Sequence, residues 1–333
     1  MSPQMPRLLE PILAAYGEHC RPLEIQTLGS AGGFSGASLW KLNTQVGTLC
    51  LRRWPDEGPD DKRLGFIHHV LFTAVDRGCH WIPAPLRTLE GSSFTRDAGS
   101  FWELQPWMPG IADFKQHPSS EKLSSAMVAL ASFHEAMEPT SRQIPAPVIG
   151  DRIRLIETIS SEFGQLETRI SSSLWPELAA CADPILNHFS KHAAQVRDRL
   201  RNAAGWSVPH QPCLRDIWHD HVLFQGDQVS GFVDFGAVRN DCVAVDIARL
   251  LGSLVGDDCD AWERGLGAYL NHRRLEALEQ ELISICDESQ VLMSGMNWLR
   301  WVYLQDRQFP DHDGVIRRVE AVLQRIGARL RPD

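Results

Sequence analysis

No stretch of this sequence reaches about 18 uninterrupted apolar residues, the length a membrane-spanning helix requires. A secretory pattern is missing as well: the apolar run from Ile12 to Tyr16 is short and follows Glu10. Both absences lead us to expect a cytoplasmic protein with no membrane partner. No CxxC pair occurs among the eight cysteines, which stand scattered at positions 20, 50, 79, 181, 213, 242, 259 and 286. In a chain of 333 residues that scatter reads as free thiols in a reducing compartment. Positive charge is not in excess. The formal net charge is −9, which argues against nucleic acid as a partner and is compatible with a cationic or metal-bridged one. Internal repeats and low-complexity tracts are also lacking. What is present is a composition ordinary for a globular protein, 43% apolar and 23% charged, at a length that suits two lobes. Oligomeric state is not legible in it.

The richest stretch is residues 213–236. Val222 to Phe224 reads as a strand, Gln225-Gly226-Asp227-Gln228 as a tight turn, and Val229 to Val233 as the return strand. Asp216 precedes this hairpin and Asp234 follows it. A hairpin brings its ends together, so the two carboxylates are expected to converge, an arrangement suited to divalent-metal and phosphate chemistry.

Ahead of it, an amphipathic helix is expected over 6–19, with Leu9, Ile12, Leu13 and Tyr16 on one side. Strands follow at Leu23–Leu28, Ala37–Leu42 and Thr48–Trp54, the first two separated by the glycine-rich Gly29–Gly36. A strand after the glycine loop, where a Rossmann or P-loop unit would place a helix, predicts an antiparallel meander. One helix is expected over 62–77, then a hairpin ending in a strand from Phe101 to Met108. The remainder reads as mostly helical: stripes such as Leu123, Met127, Leu130 and His134 repeat at helical spacing, with further helices over 243–254, 260–282, 288–304 and 315–330. Residues 139–150 are proline-rich and read as an ordered connector.

Several ordered features give the chain a family resemblance. They are Gly32-Gly33-Phe34-Ser35-Gly36, Leu51-Arg52, Trp107-Met108-Pro109-Gly110, Leu130-Ala131-Ser132-Phe133-His134, Arg215-Asp216, Val233-Asp234-Phe235-Gly236 and Asp246-Ile247-Ala248. In this order the chain resembles the aminoglycoside phosphotransferase and choline-kinase-like branch of the protein-kinase-like fold. The resemblance implies an α+β, two-lobed protein-kinase-like architecture. Residues 1–108 would form an N-terminal antiparallel sheet lobe with one helix, and 109–333 a larger helical lobe carrying the catalytic loop and substrate site. It implies an ATP-dependent kinase that transfers the γ-phosphoryl group to a hydroxyl of a small molecule.

Roles follow by position. Asp216, with Arg215 beside it, falls in the catalytic loop, where the aspartate would position and deprotonate the acceptor hydroxyl. Asp234 would bind Mg²⁺. Gly32, Gly33, Phe34, Ser35 and Gly36 would cover the phosphates, and Arg52 takes the place of the lysine that holds them. Gln105, Trp107 and Met108 would offer backbone bonds to adenine; Pro106 lacks an N–H, so Trp107 or Met108 must donate.

Two departures are visible. Position 221, usually an asparagine that binds a second metal, is His221, and imidazole favours Mn²⁺ over Mg²⁺. The helix over 62–77 has no glutamate to pair with Arg52; Ile67 or His68 stands nearest the expected place. These departures keep two rivals open: a pseudokinase-like nucleotide binder with weak or no catalysis, and a metal-dependent enzyme built on His219 and His221. A cationic acceptor is a further expectation, from the acidic cluster Asp257, Asp258, Asp260 and Glu263 and the aromatic group Trp298, Trp301 and Tyr303. Both clusters also have a plain structural reading, at a helix N-terminus and on a core helix face.

Overall fold

The computed structural model describes residues 8–29, 36–138, 142–173, 175–309 and 311–329. Two compact units emerge from the chain's internal contacts. The first takes residues 1–137 with 220–238, and the second takes 138–219 with 239–333.

The first unit opens with α1 (Glu10–Ala14), shorter than the helix expected over 6–19. Pro11 sits in its first turn, and Gly17, at φ +86°, turns the chain into a single 3-10 turn at Glu18–Cys20. Strands β1 (Pro22–Gly29), β2 (Ser38–Thr44) and β3 (Gly47–Arg53) follow as an antiparallel meander. Helix α2 (Asp61–Asp76) comes next, its first turn capped by the Asp60 carboxylate, which accepts from the Arg63 N–H at 2.8 Å. Strands β4 (Thr95–Asp97) and β5 (Ser100–Pro106) complete a five-stranded sheet in the order β1-β2-β3-β5-β4. Strand β5 lies between β3 and β4, so β3 is the middle strand of that sheet. Leu9, Ile12, Leu13 and Tyr16 pack on Leu42, Leu49, Leu51, Trp102 and Leu104, which explains why the apolar alternation of these strands falls on one face. Helix α3 (Ser120–Met137) closes this part, with Leu123, Met127, Leu130 and His134 all buried as their spacing predicts.

The chain then enters the second unit. The expected connector is strand β6 (Arg142–Pro145) followed directly by α4 (Pro147–Ser171), where Pro147 occupies the first turn that tolerates it. Helices α5 (Pro176–Ala180) and α6 (Ala182–Ala203) lead to β7 (Ser207–Cys213). A return to the first unit supplies the expected hairpin, β8 (Val222–Gln225) and β9 (Gln228–Phe232), with a bulge between Leu223 and Phe224. Strand β10 (Arg239–Asp241) pairs with β7, giving a small sheet in the order β10-β7-β6.

Helices α7 (Ala244–Val255), α8 (Cys259–His272), α9 (Ala277–Tyr303) and α10 (His312–Arg329) finish the second unit. The single helix expected over 260–282 is broken at 273–276. Glu276 forms a capping box with Glu279 and starts α9 afresh, and α9 then runs unbroken through the break expected between 282 and 288. Buried residues line α9 along most of its length, and it packs against α4, α6, α7 and α10. An antiparallel sheet with one long packed helix, followed by a mostly helical remainder, is the α+β architecture the sequence predicts. No disulfide joins any of the eight cysteines. Among the described residues no helix is long and apolar enough to cross a membrane.

Candidate active site

Arg52 lies near the end of β3, directly opposite Glu103 on β5. Cross-strand partners of this kind stand close enough for their side chains to interact. The Arg52 side chain is almost fully buried, and its guanidinium stacks over the Trp54 ring at 4.1 Å. Its Nη2 donates to Asp234 Oδ1 at 2.9 Å. Burial works against the Arg52 charge, but Asp234 and Glu103 more than offset it and raise its pKa above the usual value. The Nε group of Arg52 is buried without a protein acceptor, an orphaned donor at the centre of the site.

The carboxylate that the helix lacks is thus supplied by a strand. Glu103 is held from two sides: His68 Nε2, on α2, lies 2.7 Å from its Oε2, and Trp54 Nε1 donates to the same oxygen at 3.0 Å. His68 Nδ1 in turn contacts the Ser93 hydroxyl at 2.8 Å. Burial alone would raise the Glu103 pKa; the hydrogen bond and charge of His68, the charge of Arg52 and the Trp54 bond win and lower it. Glu103 was not foreseen. Its only signal is one acidic residue inside the otherwise apolar run Phe101-Trp102-Glu103-Leu104, and the strand register that gives it meaning is not written in the local sequence.

Asp234 and His221 are brought together by the hairpin. Val222 pairs with Phe232, and the Val233 N–H donates to the His221 carbonyl at 3.0 Å, so the residues at the two strand ends become neighbours. His221 Nε2 stands 3.9 Å from Asp234 Oδ2. Asp234 has φ +62°, a left-handed conformation uncommon for a side-chain-bearing residue. Burial pushes its pKa up, but Arg52, His221 and the Gly236 N–H together bring it below the usual carboxylate value. An ionised carboxylate with one oxygen toward an imidazole is a donor set that fits a divalent cation; the mixed O and N ligands suit Mn²⁺ as well as Mg²⁺. The next turn is tied down too, since Arg63 Nη2 donates to the Gly236 carbonyl at 3.2 Å and the Trp54 ring packs on Gly236.

The segment expected to meet adenine follows β5. Gln105 faces Cys50 in the sheet, and the Trp107 N–H donates to the Thr48 carbonyl at 3.0 Å. That bond commits the Trp107 amide to the sheet. The Trp107 ring carries Lys41 Nζ at 4.7 Å from its centroid. Met108 presses on Gly231 of β9, where an added Cβ would come within 2.6 Å of the Met108 Cβ. Of the glycine loop, Gly32, Gly33, Phe34 and Ser35 lie outside the described residues. Gly36 is described, at φ +73° and beside Pro55.

Asp216 and Arg215 belong to the second unit. Asp246, at the start of α7, accepts from the Leu214 and Arg215 N–H groups, both at 2.6 Å, and so fixes the loop before Asp216. Arg215 has φ +69°, and its guanidinium is bound to the buried Asp241 carboxylate. Asp241 also accepts from the Val148 and Cys242 N–H groups. The Arg215 side chain is therefore an anchor of this loop. Asp216 is exposed and pairs with Arg249 of α7, whose Nη2 donates to Oδ1 at 2.9 Å. The His219 ring and backbone N–H both meet the Ser253 hydroxyl, at 2.7 and 2.9 Å, which places His219 against α7.

Some of the residues expected to draw a cation are engaged within the protein. Asp257 receives two bonds from Arg325, at 3.2 and 2.9 Å, and Asp258 caps α8. Trp298 is buried against Trp301 and Phe309.

Residues 29–281 match the model of the APH phosphotransferase enzyme family. The chain belongs to that family. A homoserine kinase from Allorhizobium ampelinum is 26% identical to it over 218 residues, covering 64% of this chain and 59% of that one. The chain thus spans about 59% of the length of this curated relative. Among solved structures, the aminoglycoside phosphotransferase from Alicyclobacillus acidocaldarius superposes with a TM-score of 0.65 at 14% identity, covering 98% of this chain and 95% of that one. An amicoumacin kinase, solved with AMP-PNP and Ca²⁺, gives a TM-score of 0.60 at 11% identity over 95% of this chain and 92% of that one. The fold of the phosphotransferase is therefore the fold of this protein.

Proposed function

We propose that this phosphotransferase is an ATP-dependent kinase acting on a hydroxyl of a small molecule. The observation that carries the proposal is Asp234, kept ionised between the buried Arg52 and His221, where the resemblance expects the metal ligand. In the reaction, the acceptor oxygen forms a bond to the γ-phosphorus while the bond from that phosphorus to the β–γ bridging oxygen breaks. The hydroxyl proton passes to Asp216, and ADP leaves.

Asp234, with His221 beside it, would hold a divalent cation, Mg²⁺ or Mn²⁺, which when bound neutralises phosphate charge. Arg52 offers its guanidinium fork to the phosphates, with Glu103 and Trp54 fixing its direction. Gly36 covers the phosphates, and the Met108 N–H meets the base. Arg215 keeps Asp216 in place through Asp241. In this reading residues 1–108 hold nucleotide, and 109–333 carry the catalytic loop and the acceptor. The amicoumacin kinase complexed with AMP-PNP supports a nucleoside triphosphate donor, and the homoserine kinase supports a small hydroxylated acceptor.

The test is ADP formation from ATP with Mg²⁺ or Mn²⁺. We expect Asp216→Asn to slow it by roughly 10²–10⁴-fold, the usual contribution of a general base. Turnover unchanged in Asp216→Asn would remove Asp216 from the chemistry.

A further inference from the structure

We propose that His68 of α2 is a positioning residue for the nucleotide: through Glu103 it fixes the direction in which Arg52 meets the phosphates. The inference rests on the kinase reading and adds a residue to its phosphate clamp. All of the groups involved belong to the first unit.

His68 lies on the buried face of α2 and is 2% exposed. Both ring nitrogens are engaged. Nε2 lies 2.7 Å from Glu103 Oε2, and Nδ1 lies 2.8 Å from the Ser93 hydroxyl, in the segment between α2 and β4. The Phe94 ring stands edge-on to the imidazole, 5.9 Å between centroids. Glu103 is held ionised, and an ionised carboxylate only accepts hydrogen bonds. Nε2 therefore carries the hydrogen of that bond. The Ser93 hydroxyl can donate or accept, so it serves Nδ1 whether the ring is neutral or charged.

Two contacts carry this arrangement to Arg52. Glu103 Oε2 also accepts from Trp54 Nε1 at 3.0 Å, and the Arg52 guanidinium stacks on the Trp54 ring at 4.1 Å. The carboxylate that His68 holds thus also sets the plane on which Arg52 rests. Glu103 stands opposite Arg52 across β3 and β5, and its charge acts on the guanidinium. A guanidinium is a rigid planar fork, so its hold on a phosphate depends on direction as well as charge. Removing His68 would keep the charge of Arg52 and release its direction. Helix α2 acts from a second side too. Arg63, one turn and more before His68, donates to the Gly236 carbonyl at 3.2 Å, just beyond the Asp234 that Arg52 bonds. One helix thereby holds the surroundings of both carboxylates that face Arg52.

The experiment uses the full chain with ATP and Mg²⁺ or Mn²⁺ and follows ADP formation. His68→Leu removes both ring bonds, His68→Gln offers an amide donor in place of Nε2, and Ser93→Ala removes only the partner of Nδ1. We expect His68→Leu to raise KM for ATP about tenfold, the scale of a lost hydrogen bond to a charged group, with kcat changed by less than about threefold. His68→Gln should recover most of the lost affinity, and Ser93→Ala should raise KM less than His68→Leu does. A histidine that only packs would lower the fraction of active protein, so kcat would fall with KM unchanged. That result would overturn the proposal, as would His68→Gln as impaired in KM as His68→Leu. Should His68→Leu not fold, Ser93→Ala decides: a raised KM at unchanged kcat supports the proposal, and an unchanged KM contradicts it. If the parent binds ATP without turnover, the Kd values of the same variants from calorimetric titration with ATP decide in place of KM, and only the kinase reading falls. If the parent binds no ATP with either metal, both fall.

Discussion

At the scale of single residues, the site turns on which carboxylate serves which cation. Arg52 faces two of them, Asp234 by direct bond and Glu103 across the strand register. Glu103 has His68 and Trp54 on it, so glutamine in its place keeps one acceptor oxygen for them but removes the carboxylate charge beside His68 and Arg52. We expect Glu103→Gln to destabilise the fold by roughly 3–5 kcal/mol, the usual cost of breaking a buried charged pair, and to weaken nucleotide binding through a less constrained Arg52. The pH dependence has a defined sign. The Glu103 pKa in the folded chain lies below its ordinary 4.5, so the unfolded chain holds more protons than the folded one near that pH. Its stabilising contribution is therefore full above 4.5 and is lost as pH falls through the folded value. Acid denaturation monitored by circular dichroism should show a shallower stability loss below that pH in Glu103→Gln than in the parent. Parallel acid limbs would contradict this account of Glu103.

At the scale of elements, much of the arrangement was legible in the sequence. Two β-rich runs on either side of the Gln225–Gln228 turn predict the hairpin, and the hairpin alone places His221 beside Asp234. The apolar stripe of α3 predicts its buried face. What escaped was non-local. Register decides that Glu103 faces Arg52, and no window of β5 contains that fact. The Trp107 amide reads as a donor to a ligand until β3 places the Thr48 carbonyl against it. The break at 273–276 depends on a glutamate cap, and glutamate is not among the residues that announce a helix start most strongly. Arg249 reads as one more helical charge until the loop bearing Asp216 lies against α7.

The close approach of Met108 to β9 gives a test at this scale. At Gly231 a Cβ would fall 2.6 Å from the Met108 Cβ and 3.3 Å from the Leu223 Cδ1. Gly231→Ala should cost about 1–3 kcal/mol, the range for overpacking, and displace the Met108 segment. Thermal unfolding measures the first effect, and a raised KM for ATP measures the second. An unchanged KM would detach Met108 from nucleotide binding.

For the whole molecule, the account joins a negative chain to a polyanionic nucleotide. A net charge of −9 does not favour ATP by itself. In the proposed kinase reading, attraction is local, from Arg52 and from a divalent cation that Asp234 would hold. Nucleotide binding should therefore depend on the metal and on Asp234. The direct measurement is the melting temperature of the full chain with saturating ATP, with and without Mg²⁺ or Mn²⁺, for the parent and for Asp234→Asn. A ligand at a hundred times its Kd adds about 2.7 kcal/mol of stability, and for chains of a few hundred residues each kcal/mol raises Tm by roughly 2–4 °C. The account predicts a rise of several degrees with ATP and metal together in the parent, and its loss in Asp234→Asn. No stabilisation of the parent by ATP with either metal, or an equal rise in Asp234→Asn, would contradict it.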